Sequence, residues 1–171
     1  GAGKSTLMKI LLGIYRKDTG SIVYNGQEVE YKSTKEALEA GIVMVHQEVS
    51  MFPEMEISEN IWFGREDKFK KGGLIDIAAR RRATEEILRQ LQVSIDVKEK
   101  AKNLRIAQLQ LAEIVRAVSY NARVIIMDEP TSALTDVEVE ILFRIIRDLA
   151  AQDKAIVFIS HKLDEVLEIC D

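Results

Sequence analysis

The chain has 171 residues, 47% hydrophobic and 30% charged, with 24 Lys and Arg against 28 Asp and Glu and a net charge of −4. That suffices for one core and a small appended subdomain, and the mixed charge leaves no broad basic surface of the kind a nucleic-acid partner requires. No apolar run reaches the roughly 18 residues needed to span a bilayer, no secretory leader is expected, and the single cysteine, Cys170, excludes an internal disulfide framework and suits a reducing compartment.

The chain opens on Gly1-Ala2-Gly3-Lys4-Ser5-Thr6, the closing half of a phosphate-binding loop Gly-x-x-x-x-Gly-Lys-Ser/Thr, ahead of a helix-like run from Leu7 to Tyr15. Glycine lets the backbone approach a phosphate, and a helix start presents N–H groups and a positive dipole end. Lys4 is placed to reach the β and γ phosphates, and the Ser5 hydroxyl to ligate Mg²⁺. The strand that should feed this loop is missing, so the chain reads as a fragment that starts inside the motif.

Residues 20–31 alternate as a hairpin about the turn Asn25-Gly26. Ser33-Thr34-Lys35-Glu36 is a capping box that opens a short helix closed by Gly41. Ile42 to Val45 is an apolar strand ending in the polar cluster His46-Gln47-Glu48. Between 49 and 64, Met51, Phe52, Met55, Trp62 and Phe63 are dense enough for either core or a surface that another protein covers. Residues 65–73, charged and glycine-rich, predict a flexible excursion. Asp76 predicts the cap of a helix to about Gln92, with Ile77, Ile87, Leu88 and Leu91 on its apolar face and Arg80 to Arg82 on a solvated one. After a loop through Asn103, a second helix is predicted from Ile106 to Tyr120.

Val124 to Met127 shows no polar alternation, as a strand covered on both faces requires, and it ends in Asp128 and Glu129. In parallel sheets ligands bind just beyond the carboxyl ends of the strands. Successive side chains point opposite ways, so one acid can face a metal and the other a water. Pro130 stops the pairing. Thr135-Asp136-Val137-Glu138 is a second capping box, and Val137, Ile141, Ile145 and Leu149 give the next helix an apolar stripe. Ala155 to Ile159 is the last strand, left through Ser160-His161, after which Leu163, Val166, Leu167 and Cys170 mark a terminal amphipathic helix. Both histidines, His46 and His161, fall at strand exits. Such an imidazole is either structural or, on the same edge as Lys4 and Asp128, a γ-phosphate contact.

The loop Gly1 to Thr6, Gln47, the strand-end Asp128-Glu129-Pro130-Thr131 and His161 together resemble, in order and interval, the ATP-binding subunits of ABC transporters, over nearly all 171 residues. Val45-His46-Gln47-Glu48, Ile57 through Glu66, Gly73-Leu74-Ile75-Asp76 and Met127 through Thr135 are most similar to the monosaccharide importers of the ribose, galactose and xylose type. The chain looks like part of the N-terminal of two fused ATPase halves. The resemblance implies an α/β fold, a P-loop NTPase of ABC type with a mainly parallel sheet flanked by helices and a small helical subdomain, here a fragment without the strand before the P-loop. Residues 1–48 and 122–171 would form a RecA-like core with the hairpin at 20–31, and about 49–121 the Q-loop and helical signature subdomain.

The resemblance further implies an ATPase that powers monosaccharide import across the cytoplasmic membrane. Gly1, Ala2, Gly3, Lys4, Ser5, Thr6 and Asp128 would bind ATP, with Ser5, Gln47 and Asp128 at Mg²⁺. Glu129 would polarise the attacking water, Gln47 would link the metal to the Q-loop, and His161 would contact the γ phosphate. A cation, a metal, an acid and a polar sensor are the parts phosphoryl transfer needs. Two departures stand out. The signature Leu-Ser-Gly-Gly-Gln aligns with Leu104-Arg105-Ile106-Ala107-Gln108, losing the serine and both glycines that would act on ATP held by the opposite half, and the D-loop reads Ser132-Ala133-Leu134-Thr135 with threonine for aspartate.

Implied partners are a second ATPase half, a transmembrane permease contacted near Met51 to Phe63 and, indirectly, a periplasmic or extracellular sugar-binding protein, with no nucleic acid; the implied location is the cytoplasmic face of the membrane, as a peripheral protein. Alternatives are an importer of nucleosides or other small solutes, and an ATP-binding half with weak hydrolysis because of Arg105. A soluble ABC-type ATPase of translation or DNA repair would need a basic surface or long charged insertions that this chain lacks. The fragment by itself, without the aromatic residue expected to stack on adenine, is expected to be inactive.

Overall fold

A computed structural model describes residues 3–171; Gly1 and Ala2 of the phosphate loop lie outside the described residues. The first helix, α1 (Lys4–Leu11), stops short of the expected Tyr15. Gly13 ends it, at φ 71°, where an added Cβ would meet the Tyr31 carbonyl oxygen at 2.6 Å and the Ser33 nitrogen at 2.7 Å. Gly13→Ala therefore meets both a left-handed backbone and an immovable backbone neighbour, and should destabilise the protein by about 2 kcal/mol. Urea unfolding measures this, and a loss below about 0.5 kcal/mol would mean that the Tyr31 segment gives way.

Strands β1 (Ile22–Tyr24) and β2 (Gln27–Val29) pair antiparallel across Asn25 and Gly26, both at positive φ, as a primed two-residue turn requires. The Ser33 hydroxyl accepts from the Glu36 backbone N–H and starts α2 (Thr34–Glu39). The reciprocal arm differs from expectation, since the Glu36 carboxylate takes the N–H of Lys32 instead of that of Ser33. Gly41, at φ 90°, then turns the chain into β3 (Ile42–Val45).

Next come α3 (Ile57–Trp62), the short antiparallel pair β4 (Lys70–Lys71) and β5 (Leu74–Ile75), α4 (Ile77–Gln90) and α5 (Ile106–Ser119). The three helices pack on one another. The chain returns through β6 (Val124–Asp128), α6 (Asp136–Ala150), β7 (Ala155–Ile159) and α7 (Leu163–Ile169). β3, β6 and β7 form a parallel sheet with β6 in the middle. Ile125, Ile126 and Met127 are fully buried, which is why that run carries no polar residue. A parallel register brings all three carboxyl ends to one rim. One apolar cluster runs from Val43 and Val45 through Ile57, Ile61, Leu88 and Leu91 to Leu142 and Leu149, so the helices after β3 share a core with the sheet. No helix among the described residues is long and apolar enough to cross a membrane.

Several expectations are corrected. Residues 65–73 are not a formless excursion: a 3₁₀ turn over Glu66–Phe69 leads into the β4–β5 pair, and Phe69 stands edge-on to Trp62 at 4.9 Å. On α4, Arg80 is buried rather than solvated, and Ile77 is exposed. On α6 the buried face is Leu142, Phe143, Ile145, Ile146 and Leu149, while Val137 lies open in the first turn, where the cap and not the core decides the residue. Leu163 and Leu167 of α7 and Cys170 just after it are all exposed, because the helix turns a different set of residues, Glu165, Val166 and Ile169, toward the protein. The dense apolar stretch divides: Met51 and Trp62 are core, and Phe52 and Phe63 face out.

Candidate functional site

Asp128 is the last paired residue of β6, opposite Ile159 of β7. Glu129 then leaves the sheet at φ 48°, its N–H donating to the Ile159 carbonyl at 2.8 Å. The departure brings its carboxylate to the exit of β7, where His161 Nε2 lies 2.6 Å from Glu129 Oε1. The acid is largely sheltered and the imidazole is open to solvent.

On the facing side, Gly3 at φ 78° precedes α1, and no side chain among the described residues caps that helix or places an acid in its first turn. Its leading N–H groups are left for an outside acceptor, with the dipole favouring an anion. Gly3, Lys4, Ser5, Thr6, Asp128, Glu129 and His161 together line one cavity of about 230 Å³. That is smaller than the ~300 to 1,000 Å³ of pockets that engulf whole ligands, and it suits a phosphate chain better than a complete nucleotide. One cation, a helix start and two acids can neutralise a polyphosphate, hold a metal and accept a proton from water.

The Ser5 hydroxyl and Asp128 carboxylate are hard oxygen donors in one cavity, the ligand class Mg²⁺ takes, and such an ion would complete its shell with phosphate and water oxygens. Among the described residues no group of three or more His, Cys, Asp or Glu could hold a metal by itself. Of the five side chains expected to converge, Lys4, Asp128, Glu129 and His161 meet here. Gln47 does not line the cavity; it is exposed two residues past β3, whose Val45 pairs with Met127, and so stands on the same rim outside the recess.

Leu104 to Gln108, expected as the signature, do not line this cavity either. Arg105 caps the start of α5, with its N–H donating to Gln108 Oε1 at 3.1 Å, Ile106 is exposed and Ala107 buried. His46 lines a different recess of about 310 Å³, with Leu12, Leu38, Val43, Glu113 and Tyr120, which holds no strand-end acid pair.

Sequence reasoning missed Glu165. Its Oε2 accepts from Thr131 Oγ1 at 2.7 Å and from Ser160 Oγ at 3.0 Å, while Lys162 Nζ lies 2.9 Å from Oε1. Burial pushes this carboxyl up, but the hydrogen bonds from Lys162, Thr131 and Ser160 outweigh it and hold it below the usual value. An acid in the first turn of a helix is the only sequence signal, and it says nothing of partners 34 residues away.

The family model for ABC transporters matches residues 1–132. The chain is 49% identical, over its full length, to the galactose/methyl galactoside import ATP-binding protein MglA of Yersinia pestis, of which it covers 33%. It is 52% identical over its full length to MglA 1 of Photobacterium profundum, covering 34% of that protein. With a putative ribose/galactose/methyl galactoside import ATP-binding protein of Rhizobium johnstonii it shares 54% over its full length and 33% of the relative. The chain thus spans about a third of the length of the curated relatives it matches. Among solved structures, the ATP-binding cassette MJ1267 of an ABC transporter in its ADP conformation superposes with a TM-score of 0.83 at 28% identity, over 99% of this chain and 70% of that one. A nucleotide-free ATP-binding cassette from an ABC transporter gives a TM-score of 0.78 at 27% identity, over 99% and 70%.

Proposed function

The chain belongs to the ABC transporter family, and from that premise we propose that it is the ATP-binding and ATP-hydrolysing part of a subunit that powers import of a monosaccharide across the cytoplasmic membrane. The observation that carries the proposal is the meeting of Lys4, Ser5, Asp128, Glu129 and His161 in one recess at the sheet's carboxyl rim. In this reading Lys4 and the N–H groups opening α1 bind the β and γ phosphates. Ser5 and Asp128 hold Mg²⁺, which when bound neutralises phosphate charge. Glu129 takes a proton from the attacking water, and His161 keeps the Glu129 carboxylate oriented and meets the γ phosphate. Gln47, on the rim, reaches the site only from outside the recess. Residues 1–48 and 122–171 serve as the nucleotide-binding core and about 49–121 as the helical subdomain.

Relatives named for galactose and ribose import favour a monosaccharide over a nucleoside. The test is hydrolysis by the full-length polypeptide with its permease: a sugar-loaded binding protein should raise ATP turnover, and turnover indifferent to any monosaccharide would contradict the reading.

The proposed partners are a second ATPase half, a membrane permease and, through it, a sugar-binding protein, with the chain at the cytoplasmic face. Phe52 and Phe63 support the permease surface. Both are about half exposed, and their rings pair at 4.6 Å. Buried Asn60 pins the loop beneath them, accepting from the Phe52 N–H at 2.7 Å and donating to the carbonyls of Phe52, Met55 and Glu56. A rigid exposed aromatic pair is typical of an interface anchor. Phe52→Asp should cut transport by about tenfold or more while ATP still binds; loss of both together would assign Phe52 to the fold instead.

A further inference from the structure

We propose that Glu165 is the positioning residue for the Glu129–His161 pair, an inference that rests on reading their cavity as the site of ATP hydrolysis. Glu129 is held at φ 48°, a left-handed conformation that is unfavourable for a non-glycine residue and persists only where the surroundings over-determine it. One restraint is its own N–H on the Ile159 carbonyl at 2.8 Å. A second is its carbonyl, which accepts from the Ser132 N–H at 3.2 Å, and a third acts two residues later, where buried Thr131 donates to Glu165 Oε2 at 2.7 Å.

The same oxygen accepts from Ser160, the residue before His161, at 3.0 Å. Ser160 Oγ in turn accepts from the Lys162 N–H at 3.0 Å, which directs its hydroxyl proton to Glu165. A single carboxylate oxygen therefore ties together the two segments whose side chains meet at 2.6 Å. Lys162 holds the other oxygen and fixes the rotation of the carboxylate. Glu165 does not line the cavity, so it acts only through these segments. Without it, Glu129 loses the one side-chain restraint among these and its carboxylate moves, and a displacement of about 1 Å at a reacting group costs on the order of a hundredfold in rate.

The test is steady-state hydrolysis and ATP binding by the full-length polypeptide carrying Glu165→Ala, Glu165→Gln, or Thr131→Val with Ser160→Ala. Glu165→Ala should lower kcat about ten- to a hundredfold while KM and ATP affinity move less than about threefold. Glu165→Gln should recover most of the rate, since an amide oxygen still accepts both hydroxyls. The Thr131→Val, Ser160→Ala double variant should reproduce the loss, and it carries the test if Glu165→Ala does not fold. Wild-type kcat in Glu165→Ala, a parallel fall in ATP affinity, or a glutamine no better than alanine each overturns the proposal. A wild type whose turnover is absent, or is untouched by Glu129→Gln, removes the ATPase reading together with this inference.

Discussion

Glu129→Gln in the full-length polypeptide is expected to lower kcat for ATP hydrolysis by about 10²- to 10⁴-fold, the usual contribution of a positioned general base. The amide has the size of the acid and can still meet His161, but it cannot take a proton from water. Binding should persist or tighten, because one negative charge is removed from the neighbourhood of the phosphates. Single-turnover hydrolysis beside equilibrium ATP binding separates the two quantities. Unchanged turnover would mean that the contact between Glu129 and His161 belongs to structure alone. A fall in binding as large as the fall in rate would mean that the carboxylate holds the loop of α1 in place.

Arg80→Ala is expected to destabilise the protein by about 2 kcal/mol, below the full penalty for breaking a fully buried ion pair because water reaches the carboxylates it leaves behind. Arg80 is 4% exposed, with Nη2 at 3.2 Å from Glu59 and 3.7 Å from Glu56, and its removal leaves two part-exposed carboxylates against the single remaining cation Arg81. Exposed Arg82 is the control, and its alanine variant should stay within about 0.5 kcal/mol of wild type in urea unfolding. Equal effects at both positions would refute the buried pair.

The same network has a pH signature. Hydrogen bonding from Arg81 holds the Glu56 carboxyl below its usual range, against burial. A depressed carboxyl contributes stability that is present above its unfolded pKa and lost as pH falls through the folded one. Wild type should therefore lose stability below about pH 4.5, Glu56's ordinary value, by more than a Glu56→Gln variant does.

Much of the fold was legible along the chain. β3 and β7 stand where the apolar runs placed them, and β6 carries one residue more, Asp128, which still pairs with Ile159 although its side chain is polar. The Asn25-Gly26 turn and the caps at Ser33, Asp76 and Thr135 were equally readable, because each depends on residues within four positions of one another. Less legible was the side of a helix on which a residue lies when the pattern is mixed. Arg80 and Arg82 stand two positions apart with the same chemistry, and only the arrival of Glu56 and Glu59 from α3 separates them. Phe52 and Trp62 were alike in sequence for the same reason.

The candidate site divides in the same way. Lys4, Ser5, Asp128, Glu129 and His161 were recognisable as chemistry, since a phosphate loop and an acid-tipped strand are local patterns with local causes. By itself the sequence determined which candidate phosphate-binding groups this protein carries, which strands lead to them and where α2, α4, α5 and α6 begin. Only the tertiary structure decided that Gln47 stands outside the recess, that His161 and not His46 meets the acid, and that Glu165 ties the two exits together. The reason is physical: hydrogen bonds and burial between distant segments depend on three-dimensional approach, and the spacing of residues along a chain carries no record of it.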